Sequence, residues 1–325
     1  MIDHSTPPLF IVGAPRSGTS LVRNLIRACE GVYVPPDETQ FLPAYFEKVA
    51  SSTSTESLAS FLDNTAFSAH MRARGIWPSR DELLTILRKP EPQSAIPTLM
   101  SYLAQREQWG AFAFWGDKTP RYVYFLDLFR SVFPGMRVLF VIRDPRDAVL
   151  SMREAWGRSL IRGSVAWRDA ARIARSSIDS RNYSASRVVH YEALAMEPAG
   201  SMAGIAEWLG VDFSADSLDA VKGSEKWGAA RGSGVLSTSI GRFRTQLSRT
   251  EIELIERVTF EEMRLWGYVP EYAVGSYVPS ALHLQLARFA DALRSLAKYG
   301  SERGFADGIG YKFRQFLTAR RSPRR

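Results

Sequence analysis

Apolar residues along this chain fall into two kinds of run, short unbroken stretches and longer ones spaced three and four apart, and the alternation predicts strands followed by helices. The first of each meet in LFIVGAPRSGTSLVRNLIRAC, residues 9–29. Leu9 to Val12 read as a buried strand, Gly13 to Thr19 as a tight loop, and Leu21, Val22, Leu25, Ile26 and Cys29 as the apolar face of a helix. Further strands are expected at Val32–Val34, cut off by Pro35 and Pro36, at Ala111–Trp115, at Val138–Ile142 and at Arg187–Tyr191. Helices are expected from Thr119–Pro120 to Pro134–Gly135, from Pro145 through Ser151, over Ser164–Ile178, and from Pro198 to Gly210. A capping box at Ser248 and Glu251 predicts another, ending before Gly267. From Pro279, Leu282, Leu286, Phe289, Leu293 and Leu296 mark an amphipathic helix with Arg288, Arg294 and Lys298 among its polar residues. This order predicts the α/β class: a three-layer P-loop-like fold with a central parallel sheet flanked by helices.

The 325 residues suffice for one large domain with an insertion. Residues 1–270 are expected to form that domain and 271–325 a helical C-terminal extension with a basic tail. Within the domain, residues 47–110 are Ser/Thr-rich and then helical. They read either as an insertion covering the acceptor side of a site or as helices that only fill out the core.

Composition changes this picture little, since 45% apolar and 23% charged residues are ordinary for a globular protein. The net charge of +8 is uneven: residues 301–325 hold seven Arg or Lys against Glu302 and Asp307, a net +5, which leaves +3 for the first 300. That tail is a candidate for weak peripheral contact with an anionic membrane, although a solvated terminus is the commoner outcome, and nucleic acid is not expected as a partner. Nothing at the N-terminus has the pattern of a signal peptide and no run approaches spanning length, so a cytoplasmic location is expected. Cys29, on the apolar face of the first helix, reads as a core residue, and the four histidines lack the spacing of a metal site.

The candidate chemistry gathers at the ends of the strands. In the loop after the first strand, Gly13 and Gly18 permit backbone angles that let successive N–H groups point inward, and the helix start adds partial positive charge. Such a loop suits a phosphate or a sulfate. The spacing of Gly13, Gly18, Thr19 and Ser20 is that of the nucleotide P-loop, but Thr19 stands where that motif has its lysine. Loss of the lysine argues against triphosphate chemistry, and Arg16 offers a charge within the loop instead.

Asp37, Glu38 and Thr39 follow the second strand, where they either face the loop or cap a helix at Phe41. Asp117 and Lys118 fall at the carboxyl end of the third strand, where a lysine points toward the same crevice as Arg16. After the fourth, two readings compete: Asp144 as a Walker B magnesium ligand, or Arg143 with Ser151, two helical turns on, gripping a second phosphate. The missing lysine favours the second. The Gly- and Ser-rich residues 223–245 read as a loop able to close over a bound anion.

Taken together, APRSGTS, PPDET, GDKTP, VIRDPRDAVLSM and HYEAL, in this order over residues 9–269, resemble the sulfotransferases that use 3'-phosphoadenosine 5'-phosphosulfate (PAPS), above all the branch of tyrosylprotein and many bacterial enzymes. The resemblance implies that Arg16, Ser17, Gly18, Thr19 and Ser20 cradle the 5'-phosphosulfate and that Arg143 and Ser151 hold the 3'-phosphate. It puts Tyr191 near the nucleotide and the 232–242 loop, with Ser239, over it. It makes Glu38 the general base, with Lys118 and Arg16 as electrostatic partners, and PAPS a co-substrate used without metal. Gln40 departs from the basic residue that follows this motif in the tyrosylprotein enzymes, which shifts the expected acceptor from a peptide tyrosine to a hydroxyl of a carbohydrate, lipid or small molecule. The rival readings are a P-loop kinase or NTPase and a non-catalytic protein that binds anions or membranes.

Overall fold

The computed structural model describes residues 7–88, 92–179, 185–215 and 239–303. In chain order the elements are β1 (Pro8–Gly13), α1 (Thr19–Ile26), β2 (Gly31–Tyr33), α2 (Leu42–Ala50), α3 (Thr55–Asp63), α4 (Ala66–Ala73), α5 (Arg80–Leu87), α6 (Pro92–Arg106) and β3 (Phe112–Lys118). A 3-10 turn (Pro120–Phe125) then leads into α7 (Leu126–Val132), β4 (Arg137–Ile142), α8 (Pro145–Trp156), α9 (Leu160–Asp179), β5 (Ser186–His190), α10 (Tyr191–Met196) and α11 (Pro198–Leu209). After the expected lid loop, of which 223–238 lies outside the described residues, come α12 (Phe243–Gln246), α13 (Arg249–Leu265) and α14 (Ala281–Arg303).

These elements form two compact units, Met1–Arg143 with Ala170–Ile240, and Asp144–Asp169 with Gly241–Arg325. The first holds a five-stranded sheet in the order β2-β3-β1-β4-β5, parallel at every pairing, as the strand–helix alternation predicts. β1 is buried along its whole length because both faces are covered. Leu9 and Ile11 pack with Val22, Leu25, Ile26 and Cys29 of the α1 segment and with Met202 and Ile205 of α11. Phe10, on the opposite face, stacks on Phe129 at 4.7 Å and meets Trp115 and Tyr122 edge-on. Burial among these apolar groups pushes the Cys29 thiol up to about 11, which suits the core role expected of it.

Three boundaries differ from expectation in ways that matter for the site. β3 runs on to Lys118, so Asp117 and Lys118 are strand residues rather than loop residues. Tyr191 opens α10 instead of ending the strand. No side chain of the 37–39 stretch caps α2, whose N-cap is Phe41. Within 47–110, Asp63 binds the helices together by accepting from Arg72 at 3.1 Å, Arg80 at 3.0 Å and the Trp77 indole at 2.9 Å.

In the second unit, the buried faces of α8, α12 and α13 meet through Val149, Leu150, Phe243, Ile252 and Ile255. Ser248 and Glu251 form the expected capping box at the start of α13. Among the described residues no helix is long and apolar enough to cross a membrane.

Candidate active site

β1 lies between β3 and β4, so the chain's order reverses at its carboxyl end, and that end is where an open parallel sheet leaves a crevice for ligands. Register puts the functional candidates there. Ile11 is paired with Lys118 on one side and Gly13 with Val141 on the other. Lys118 and Arg143, the latter two residues beyond Val141, therefore flank the loop that leaves β1.

The loop itself is shaped by close contacts. A Cβ on Gly13 would stand 2.4 Å from the Val141 carbonyl oxygen, and one on Gly18 would stand 2.3 Å from the Tyr191 ring. Gly18 also has φ +94°, a region that side chains resist, so this position needs glycine on two counts. Arg16 takes φ +65°, and its carbonyl accepts from Arg143 Nη1 at 3.1 Å. Arg143 Nη2 donates to the Ser239 carbonyl at 2.6 Å while its guanidinium lies 4.4 Å from the centre of the Tyr191 ring. Arg143 thus draws together the loop, Tyr191 and Ser239, three of the segments that the sequence singled out.

Two features of the loop suit an anion. The Ser17 hydroxyl is fully buried yet has no hydrogen-bond partner among the described residues, which is costly unless a ligand supplies one. α1, which begins with the largely buried Thr19 and Ser20, has no side-chain cap and no acid in its first turn, so its positive end is left for a negative group.

On the β3 side, Lys118 is almost fully buried, unlike most lysines, and donates to Glu38 Oε1 at 2.5 Å. Gln40 Nε2 donates to Glu38 Oε2 at 2.9 Å. Each carboxylate oxygen of Glu38 therefore carries a donor, one of them charged. The loop bearing Glu38 is tied down by two residues that sequence reading did not single out for the site. Arg23, on α1, donates to the Pro36 carbonyl at 2.6 Å, and the buried Asp117 accepts the Thr39 N–H at 3.2 Å. Thr39 and Leu42 also bond the Tyr122 hydroxyl, at 2.8 and 3.0 Å. Burial raises the Asp117 carboxyl to about 6, a rise that its bond with Thr39 opposes and the neighbouring Glu38 charge reinforces. The clue was an acid directly before Lys118 at the end of an apolar strand, an expensive place for a carboxylate without a partner.

Ser151 is buried on α8, in the second unit. In that unit Asp144 does not match the magnesium reading. Its two oxygens take Arg146 Nε at 2.9 Å and Nη2 at 2.7 Å, and Arg146, also bonded to Glu256, is itself buried. A carboxylate committed to a bidentate guanidinium is poorly disposed to a cation.

A family model described as Sulfotransferase family matches residues 7–215, more than half of the chain. The chain belongs to the sulfotransferase family. Its structure is similar to the sulfotransferase domain of the Synechococcus PCC 7002 olefin synthase, with 20% identity, a TM-score of 0.58, and coverage of 82% of this chain and 98% of that one. It is also similar to the sulfotransferase domain from the curacin biosynthetic pathway, with 16% identity, a TM-score of 0.56, and coverage of 81% and 98%. At such identities the likeness shows a shared fold. No curated protein matches this sulfotransferase significantly.

Proposed function

We propose that this sulfotransferase moves a sulfuryl group from PAPS to a hydroxyl of a small-molecule, carbohydrate or lipid acceptor, with Glu38 as the general base and residues 1–270 as the transfer domain. The observation that carries the reading is the Glu38 carboxylate, held between Lys118 and Gln40 on a doubly tethered loop at the crevice beside the β1 loop. PAPS, when bound, supplies an activated sulfuryl group on a phosphate leaving group. The fit is supported by the orphaned Ser17 hydroxyl, the uncapped start of α1 and the flanking cations.

In this reading the N–H groups of Gly18 to Ser20 and the Ser17 hydroxyl bind the 5' end, while Arg143, with Tyr191 and Ser239, holds the 3'-phosphate side. Glu38 accepts the proton of the acceptor hydroxyl as that oxygen attacks, which raises its nucleophilicity when needed. Lys118 holds the Glu38 carboxylate in place and, with Arg16, offsets negative charge that grows on the transferring oxygens and the leaving phosphate. No residue is required to replace the absent P-loop lysine, because this donor has no β- or γ-phosphate. Gln40, a neutral partner of Glu38, supports a hydroxyl acceptor other than a peptide tyrosine. Residues 47–110 would shape the acceptor side.

Transfer of labelled sulfate from PAPS to pooled acceptors is the direct test. Glu38→Gln is expected to lower kcat by at least ~100-fold, the scale of a general base, while binding of adenosine 3',5'-bisphosphate stays near wild type. Arg143→Ala should instead abolish that binding. Stabilisation by ATP with magnesium and none by the bisphosphate would overturn the reading in favour of an NTPase.

A further inference from the structure

Gln40 holds a backbone conformation that only its side chain explains. Among the described residues, four that are not glycine take a left-handed φ: Arg16, Gln40, Ser52 and Gln108. Ser52 and Gln108 each stand two residues beyond the end of a helix, α2 and α6, where such a residue is an ordinary ending. Arg16 belongs to the β1 loop. Gln40, at φ +55°, ends no helix, and its neighbours fix it from both sides: Thr39 bonds Asp117 and Tyr122, and Phe41 packs on Phe67 at 5.7 Å. A loop that needed the turn alone would carry glycine there without strain.

Gln40 is exposed, and its Nε2 donates to Glu38 Oε2 at 2.9 Å. A carboxylate can only accept, so this bond turns the NH2 of the amide toward Glu38 and its carbonyl Oε1 away. Among the described residues Oε1 has no hydrogen-bond partner. Gln40 stands on the open side of the base: the Lys118 side chain, on Glu38 Oε1, is 5% exposed, that of Glu38 25%. The rim there is polar, since Asp37 Oδ1 accepts the Glu38 N–H at 2.8 Å and Asp37 Oδ2 lies 3.4 Å from Nδ1 of the exposed His70.

We propose that Gln40 selects the acceptor. While Glu38 takes the proton of the hydroxyl being sulfated, Gln40 Oε1 accepts from a second O–H or N–H on the adjoining carbon. The acceptor is then a vicinal diol or amino alcohol, as in carbohydrates and polyols, rather than an isolated hydroxyl on an apolar body. Because the two side chains are bonded to each other, their open acceptor positions stand side by side, as hydroxyls on adjoining carbons do. The assignment rests on Glu38 as the general base.

Labelled-sulfate transfer to cis-cyclohexane-1,2-diol, 2-methoxycyclohexanol and cyclohexanol tests it, since only the diol offers a second donor. The wild type is expected to favour the diol over either of the others by about tenfold in kcat/KM, the scale of one hydrogen bond. Gln40→Met, which keeps the length of the side chain and removes the amide, should bring the three acceptors within about twofold of one another. Gln40→Gly, which suits the left-handed backbone, should do the same, and both variants should keep the rise in Tm that adenosine 3',5'-bisphosphate gives the wild type. The proposal is overturned by equal wild-type rates on diol and cyclohexanol, or by a diol preference that survives in both variants. It is overturned too by no transfer to the diol from a wild type that the bisphosphate still stabilises. Failure of the underlying reading looks different: the bisphosphate leaves Tm unmoved, or Glu38→Gln leaves kcat intact.

Discussion

Asp117 shows how one buried carboxyl can both hold a site and weaken the fold. It fixes the Glu38 loop through the Thr39 N–H, yet burial raises its pKa to about 6. Because the folded value lies above the unfolded one, the folded state binds the extra proton, and stability falls as pH rises from near 4 through about 6. Asp117→Asn keeps an acceptor for Thr39 and should flatten this part of the stability–pH curve, measured by urea unfolding. The step removed is roughly 2–3 kcal/mol, from about 1.4 kcal/mol per pKa unit. Gly18 is constrained differently. Gly18→Ala forces a side chain into φ +94° and against Tyr191, so it should cost about 1–3 kcal/mol and weaken nucleotide binding. Tyr191→Ala in the same chain would relieve the contact and return part of the stability, but none of the backbone cost.

Each structural element at the site works by where it stops. β3 continues three residues past its last large apolar side chain, Trp115, with Gly116, Asp117 and Lys118 still in the strand, so the lysine enters the crevice with a fixed backbone. A lysine on a loop would lose more side-chain and backbone freedom on binding a partner. The short β2 and the two prolines after it prevent further pairing and release the chain toward α2, leaving Glu38 on a loop that Arg23 and Asp117 must hold. In the second unit, α13 depends on its capping box, where Ser248 accepts the Glu251 N–H and Glu251 returns to the Ser248 N–H at 2.9 Å. Ser248→Ala should cost about 1 kcal/mol of stability in urea unfolding, with transfer activity unchanged.

Over the whole molecule, charge is segregated from the proposed chemistry. Since residues 1–280 sum to +1, an anionic donor would be drawn by the local cluster of Arg16, Lys118 and Arg143 and the α1 terminus rather than by a long-range field. Binding of adenosine 3',5'-bisphosphate should therefore depend only weakly on salt. At a concentration 100 times its Kd it should stabilise the protein by about 2.7 kcal/mol, readable as a rise in Tm of several degrees.

The sequence by itself determined the α/β alternation, the cradle after β1 and its departure from the nucleotide P-loop, because these reside in local periodicity, in glycine spacing and in one missing lysine. It also placed Glu38, Lys118 and Arg143 at strand ends. It left open whether Glu38 faced the site or capped a helix, whether Asp144 served a cation, and which way α14 turned. Only the tertiary structure decided these, since each depends on a partner distant in the chain: Lys118 lies 80 residues from Glu38, Glu256 lies 110 from Arg146, and Ser159 lies 132 from Asp291. Periodicity shows that a helix has an apolar face, but the side that packs is set by what Asp291 and Ala287 meet across the fold.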